Sequence, residues 1–149
     1  MNRFRLRSFI LAVSALCLVG TPALADTAIG AGVFLPSDGA TAGGVMGSFD
    51  LTAVPVVPIK AQISAGAPLG PGGRFVATVE GELELKNFFA GVGAGGGKLR
   101  EVGGETGVLY DFFIGTRLAP FISAQAKYYN GGSHPVGSAA YLGLSVGLK

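Results

Sequence analysis

Apolar and polar side chains alternate with a period of two along most of this chain, and the alternation is broken at short intervals by glycine, proline and asparagine. In 45–53, Val45, Gly47, Phe49, Leu51 and Ala53 are apolar or small while Ser48, Asp50 and Thr52 are polar. In 59–69, Ile59, Ala61, Ile63, Ala65, Ala67 and Leu69 alternate with Lys60, Gln62, Ser64 and Gly66. The clearest case is 74–86, where Phe75, Ala77, Val79, Leu83 and Leu85 alternate with Arg74, Thr78, Glu80, Glu82, Glu84 and Lys86. The same rhythm runs through 108–117, 122–128 and 140–148, and more weakly through 28–35 and 88–95. A period of two puts successive side chains on opposite faces of an extended strand. Eight β-strands are therefore predicted. Helices are disfavoured because the 26 glycines are spread along the chain, and each costs about 1 kcal/mol relative to alanine inside a helix.

The connections alternate in length. Four are glycine-rich, around 36–39, 70–73, 96–105 and 130–137. Lys86-Asn87 and Leu118-Ala119-Pro120 are minimal, and 55–58 is intermediate. Short turns at one end and longer loops at the other are the arrangement of outer-membrane barrels.

The N-terminus changes the reading of charge and location. Arg3, Arg5 and Arg7 precede an apolar run over 9–19 and the small-residue pattern Ala23-Leu24-Ala25, which reads as a secretory signal peptide over 1–25 with the working domain over 26–149. The apolar run is too short to cross a membrane as a helix. Leu16 before Cys17 is bulky where lipoprotein processing wants a small residue, and no twin arginine is present, so Sec export is expected. Cleavage takes three of the eleven basic residues and none of the nine acidic ones, leaving eight against nine. A near-neutral domain has no field to attract phosphate backbones, so nucleic acid is excluded as a partner. Cys17 is the only cysteine, so the domain has neither a disulfide nor a thiol nucleophile. Its 17 charged residues in 124 are about 14%, against roughly 25% in soluble domains.

Alternation alone leaves open which face meets water. With the apolar face inward, the chain is a soluble periplasmic or secreted β-barrel or sandwich that binds a small apolar ligand. With the apolar face outward, it is an eight-stranded antiparallel up-and-down transmembrane β-barrel with a filled polar interior. The second is preferred because strands of about ten residues match a tilted crossing of the hydrocarbon layer. The polar face is also rich in serine and glycine, as a crowded interior requires. Its charges nearly balance, with Asp50, Glu80, Glu82, Glu84 and Asp111 against Lys60, Arg74, Lys86, Arg117 and Lys127. A narrow lumen needs such pairing because an unpaired buried charge is costly.

The stretch from Tyr110 to Tyr129, two strands around a Leu-Ala-Pro turn, and the closing Tyr141-Leu-Gly-Leu-Ser-Val-Gly-Leu148 resemble the small eight-stranded outer-membrane proteins, the class that includes the outer-membrane protein A transmembrane domain. The resemblance is architectural and spans the domain. It implies outer-membrane residence, a structural or surface-interaction role, outer-membrane lipids as surroundings and no wide pore. The chain departs from the family by ending in Leu148-Lys149 instead of an aromatic residue, and by lacking tryptophan. Phe49, Phe75, Phe88, Tyr110, Phe112, Phe121, Tyr128 and Tyr141 are left to form the interfacial girdle.

Candidate chemistry is sparse. His134, with Ser133 and Ser138 nearby, invites comparison with Ser-His lipid hydrolases of the outer membrane, but nothing acidic follows Asp111 to fix the imidazole. Glu80, Glu82 and Glu84 have a spacing that two-carboxylate catalysis could use, yet a salt-bridge ladder with Lys60, Arg74 and Arg117 accounts for them better. The stretch 91–96 matches a dinucleotide-binding glycine pattern, but the segment Gly97 to Gly104 that follows has two more glycines at its end and cannot make the phosphate-binding helix. Neither an enzymatic activity nor a cofactor or metal is expected. The mixed charges from Lys98 to Glu105 could meet lipopolysaccharide phosphates or another surface protein.

Overall fold

A computed structural model describes residues 27–53, 59–132 and 135–148. The signal-peptide assignment, the 55–58 connection and His134 with Ser133 lie outside these. Eight strands follow one another in chain order: β1 (Thr27–Pro36), β2 (Ala42–Ala53), β3 (Ile59–Pro68), β4 (Phe75–Leu85), β5 (Phe88–Lys98), β6 (Gly107–Ala119), β7 (Ile122–Asn130) and β8 (Ser138–Leu148). Each pairs antiparallel with its neighbours, and β8 pairs with β1, closing the sheet into an up-and-down barrel.

Register fixes the barrel's dimensions. Partners traced once around, from Thr27 through Phe49, Ile63, Val79, Ala94, Tyr110, Asn130 and Ser138, return to Ser37, ten residues further along the first strand. Eight strands with that stagger tilt by about 40° around a backbone radius of about 8 Å. An eleven-residue strand such as β4 then rises roughly 25 Å along the axis. Register slips at Leu51 and Leu118, near the end of the barrel that carries the short turns and the termini, where β2 and β6 bulge.

The turn end is held by the Lys86-Asn87 hairpin, in which Lys86 takes the left-handed conformation (φ 56°), and by Pro120-Phe121. The other end carries the connections 37–41, 69–74, 99–106 and 131–137. They interlock: Leu99 and Arg100 donate backbone hydrogen bonds to the Val136 carbonyl at 2.9 and 3.0 Å, and Arg100 Nε pairs with Asp38 at 2.5 Å.

The apolar face points outward. Ile29, Val79, Phe88, Val92, Tyr110, Phe112, Ile114 and Leu144 are each more than half exposed. On the outward face of the described strands the only charged residue is Lys98, at the loop end of β5. Of the residues expected to form an aromatic girdle, Phe88, Tyr110, Phe112, Phe121 and Tyr128 are exposed on the outer surface. Tyr141 is not: it is fully buried inside the barrel, because it shares the inward parity of Gly143 and Ser145.

The interior has two layers. Its loop-end half is an apolar plug that the alternation had not singled out, containing Phe34, Met46, Val76, Leu109, Tyr129 and Tyr141, roofed by Leu99 and Val136 from the loops. Phe34 lies 4.8 Å from Tyr141 and 6.4 Å from Tyr129 between ring centroids. Inward glycines make room for these rings. A side-chain carbon at Gly44 would strike Phe34, and one at Gly91 would strike Phe113. The centre and the turn-end half are polar. Truncating Phe34 to Ala is expected to lower folding stability by about 3–5 kcal/mol, read from urea unfolding in phospholipid vesicles; a change below about 1 kcal/mol would show that the plug contributes little.

Candidate functional site

The chemistry of the molecule is concentrated in the polar part of the lumen, where β2, β3, β4, β6 and β7 contribute inward side chains. At mid-height Lys127 crosses from β7 to Glu80 on β4, with Nζ 2.6 Å from Oε1. Both side chains are almost completely buried. The Glu80 carboxylate also accepts hydrogen bonds from Ser64 Oγ, from Thr78 Oγ1 at 2.5 Å and from Gln62 Nε2 at 2.9 Å. Lys127 Nζ lies 3.2 Å from Ser64 Oγ and 4.5 Å from the centroid of the Phe113 ring, so its charge is held by a carboxylate, a hydroxyl and an aromatic face together. Asp111 Oδ2 is 3.7 Å from Lys127 Nζ, but neither Asp111 oxygen has a hydrogen-bond donor among the described residues. Two buried carboxylates thus share one ammonium.

A second cluster sits nearer the turn end. Glu84 meets Lys60 Nζ at 2.7 Å and Arg117 Nη1 at 2.5 Å, and Lys60 reaches Asp50 at 3.9 Å. These groups are partly solvated, so each pair contributes modestly. Glu82 has no basic partner within 4 Å among the described residues and meets only Gln62 Nε2, at 3.5 Å. Around these groups a cavity of about 210 Å³ runs from Pro120 and Leu148 at the turn end up to Lys127 and Met46. It stops at Met46, whose sulfur accepts the Tyr129 hydroxyl at 3.3 Å.

Of the nine residues assigned to the lumen from sequence, Asp50, Lys60, Glu80, Glu84, Asp111, Arg117 and Lys127 lie in these two ion-pair clusters, and Glu82 lies between them. Arg74 departs from the expected ladder. It is buried at the loop end beneath the 69–74 connection, it makes no ion pair among the described residues, and its Nε and Nη1 have no hydrogen-bond partner. Lys86 likewise does not balance the lumen, because it sits exposed in the β4–β5 turn. The glycine pattern over 91–96 lies within strand β5, with Gly91 and Gly93 facing inward against Phe113 and Asp111 and no helix following.

Sequence reasoning placed Ser64 and Thr78 on the polar face without giving them partners, and gave Phe113 and Tyr129 no role in the lumen. Parity was the available signal, since Tyr129 is in phase with Lys127 and Phe113 with Asp111. What parity could not supply is the partner across the lumen, which depends on stagger. Among the described residues no set of three His, Cys, Asp or Glu side chains is grouped to hold a metal ion.

No protein-family model matches the chain, and no curated protein matches it. Solved structures do. A de novo designed transmembrane β-barrel superposes with a TM-score of 0.55 at 12% identity, covering 83% of this chain and 95% of the design. Neisserial surface protein A (NspA) superposes with a TM-score of 0.50 at 10% identity, covering 84% of this chain and 95% of that one. At such identities the shared property is the fold, a closed eight-stranded antiparallel barrel of the kind seen in membrane barrels.

Replacing Lys127 with Met, which strands Glu80 and Asp111 without a counter-ion, is expected to cost about 3–5 kcal/mol of folding stability, and adding Glu80→Gln to recover part of it. Additive losses in urea titrations of the single and double variants would contradict the coupling. Gly93→Ala places a carbon against Asp111 and Glu80 and is expected to cost about 1–3 kcal/mol, whereas Gly96→Ala on the outward face, with only the Gly107 carbonyl near, changes little. Equal effects of the two would remove close packing as the reason for glycine at 93.

Proposed function

We propose that this chain is an exported outer-membrane β-barrel with a structural or surface-interaction role, blind to solute flow and without catalytic chemistry. The observation that carries the reading is the sorting of charge. Every Asp, Glu and Arg of the described strands faces inward, while the outward face is apolar over a height close to the roughly 25 Å hydrocarbon band. In water that belt would far exceed the few hundred Å² of contiguous apolar surface a soluble monomer exposes. The soluble ligand-binding alternative requires the opposite face assignment. Its apolar calyx would have to coincide with the interior layer of Phe34, Tyr129 and Tyr141, which is already filled by its own side chains.

The lumen supports a blind barrel. The cavity entered from the turn end stops at Lys127 and Met46, and the apolar plug lies beyond. With turns in the periplasm and loops outside, the interlocked loop end faces the exterior. There Leu69 and Val102 are exposed beside Asp38, Arg100 and Glu101, a mixed surface suited to lipopolysaccharide or to another surface protein. Outer-membrane lipids are the remaining partners, through the belt.

The test is fractionation of cells making the full precursor, with unboiled and boiled samples compared on a denaturing gel. The expected product is an outer-membrane band whose mobility shifts on boiling, and the purified protein in planar bilayers is expected to show no sustained conductance. A soluble periplasmic product, or a steady open channel, would overturn the reading. In vesicles, Val92→Arg is expected to lower folding stability by about 2–4 kcal/mol, as a cation at mid-membrane does, and a negligible change would count against lipid around β5.

A further inference from the structure

On the outer surface toward the turn end, the belt is interrupted by a trough of about 800 Å³, within the roughly 300–1,000 Å³ of ordinary ligand clefts. Register explains it. Ala126 on β7 pairs with Ile114 and Leu142, and Ala124 pairs with Thr116 and Leu144, so small side chains form a floor between larger ones. Leu85 and Phe88 make one wall and Leu142 and Leu144 the other. Leu85 and Phe88 flank the β4–β5 turn, so Lys86 sits in the turn next to that wall without itself lining the trough. That lysine is exposed and makes no ion pair among the described residues. It is also the only charged side chain among the described residues at the turn end that lies outside the lumen.

We infer that this trough is a specific site for an anionic glycerophospholipid, with an acyl chain along Ala124 and Ala126 and the phosphate at Lys86. The inference rests on the membrane reading above, which puts the turn end at the inner, phospholipid leaflet. An apolar trough alone would accept any chain or a second copy of the protein. The unpaired ammonium at the height where headgroups begin selects the occupant, since a phosphodiester supplies the missing counter-charge and its own chain fills the groove. The backbone that carries Lys86 is held in the left-handed conformation by a two-residue hairpin.

The experiment is native mass spectrometry of the full protein folded in mild detergent and titrated with phosphatidylglycerol, with phosphatidylcholine as the neutral-headgroup probe. Wild type is expected to retain one phosphatidylglycerol preferentially. Ala124→Leu with Ala126→Leu, filling the floor, is expected to weaken retention on the order of tenfold, while Ala65→Leu elsewhere on the outer face leaves it unchanged. Lys86→Asn, which keeps a residue tolerant of the left-handed turn, is expected to lower phosphatidylglycerol retention about threefold and to abolish its advantage over phosphatidylcholine, with Lys86→Arg restoring both. Equal lipid retention by wild type and the filled-floor variant would overturn the site. So would a dimer that the filled-floor variant dissolves, since the occupant would then be a second copy. Each variant's heat-shifted band verifies folding, and a chain that stays soluble without detergent would instead defeat the membrane reading itself.

Discussion

Closure of β1 onto β8 is the constraint on which everything else depends. A tilted, closed sheet satisfies every strand's backbone groups without an edge, which is the condition for strands to exist in a hydrocarbon solvent. The ten-residue stagger then sets a backbone radius of about 8 Å, too narrow for an aqueous channel and wide enough for opposing side chains to meet. With the radius fixed, volume inside must be shared. Rings at Phe34, Phe89, Phe113 and Tyr141 are accommodated by glycines at 44, 115, 91 and 32, each of which has no room for a side-chain carbon. Glycine at these four inward positions is thus a consequence of packing rings into a small cylinder.

The same closure governs charge. Residues that alternation turns inward cannot reach bulk water at mid-height, so Lys127 must find its partners across the lumen, and it finds Glu80, Asp111, Ser64 and the Phe113 ring. Toward the turn end the pairing side chains become partly exposed, although Lys60 and Arg117 still hold Glu84 at 2.7 and 2.5 Å. Toward the loop end, polar side chains give way to aromatic and aliphatic ones, and backbone hydrogen bonds between 99–106 and 131–137 seal the mouth. The gradient from a wet turn end to a dry loop end makes the barrel a plugged cup.

Strand number, order, approximate limits and the division of residues between two faces were legible in the sequence because period-two alternation is a local property, whereas the choice of inward face rested on strand length, small residues and charge balance. Leu83 and Glu84 declare their faces without reference to anything distant. The plug was not legible as such. Phe113 and Tyr129 share parity with Asp111 and Lys127, but an aromatic residue among polar ones can serve either interior packing or a girdle, and Tyr141 was placed in the girdle for that reason. Pairing across the barrel was also hidden. The sequence offered Arg74 and Lys86 as counter-charges for the glutamates of β4, yet Arg74 lies one strand-length away under the loops and Lys86 falls in the turn. Glu80 instead meets a lysine 47 residues later, a distance that only the stagger of the closed sheet determines.

Which solvent meets the outward face decides between a membrane barrel and a soluble one. The domain over 26–149 contains no cysteine, so single cysteines can be introduced one at a time along β6 from position 108 to 117, spin-labelled and reconstituted in phospholipid vesicles. Collision with oxygen, which concentrates in lipid, should peak at 108, 110, 112 and 114, and labels at 109, 111 and 113 should be shielded from both oxygen and a water-soluble nickel chelate. Strong nickel access at 110, 112 and 114 would mean that water bathes the apolar face, and the membrane assignment would fall.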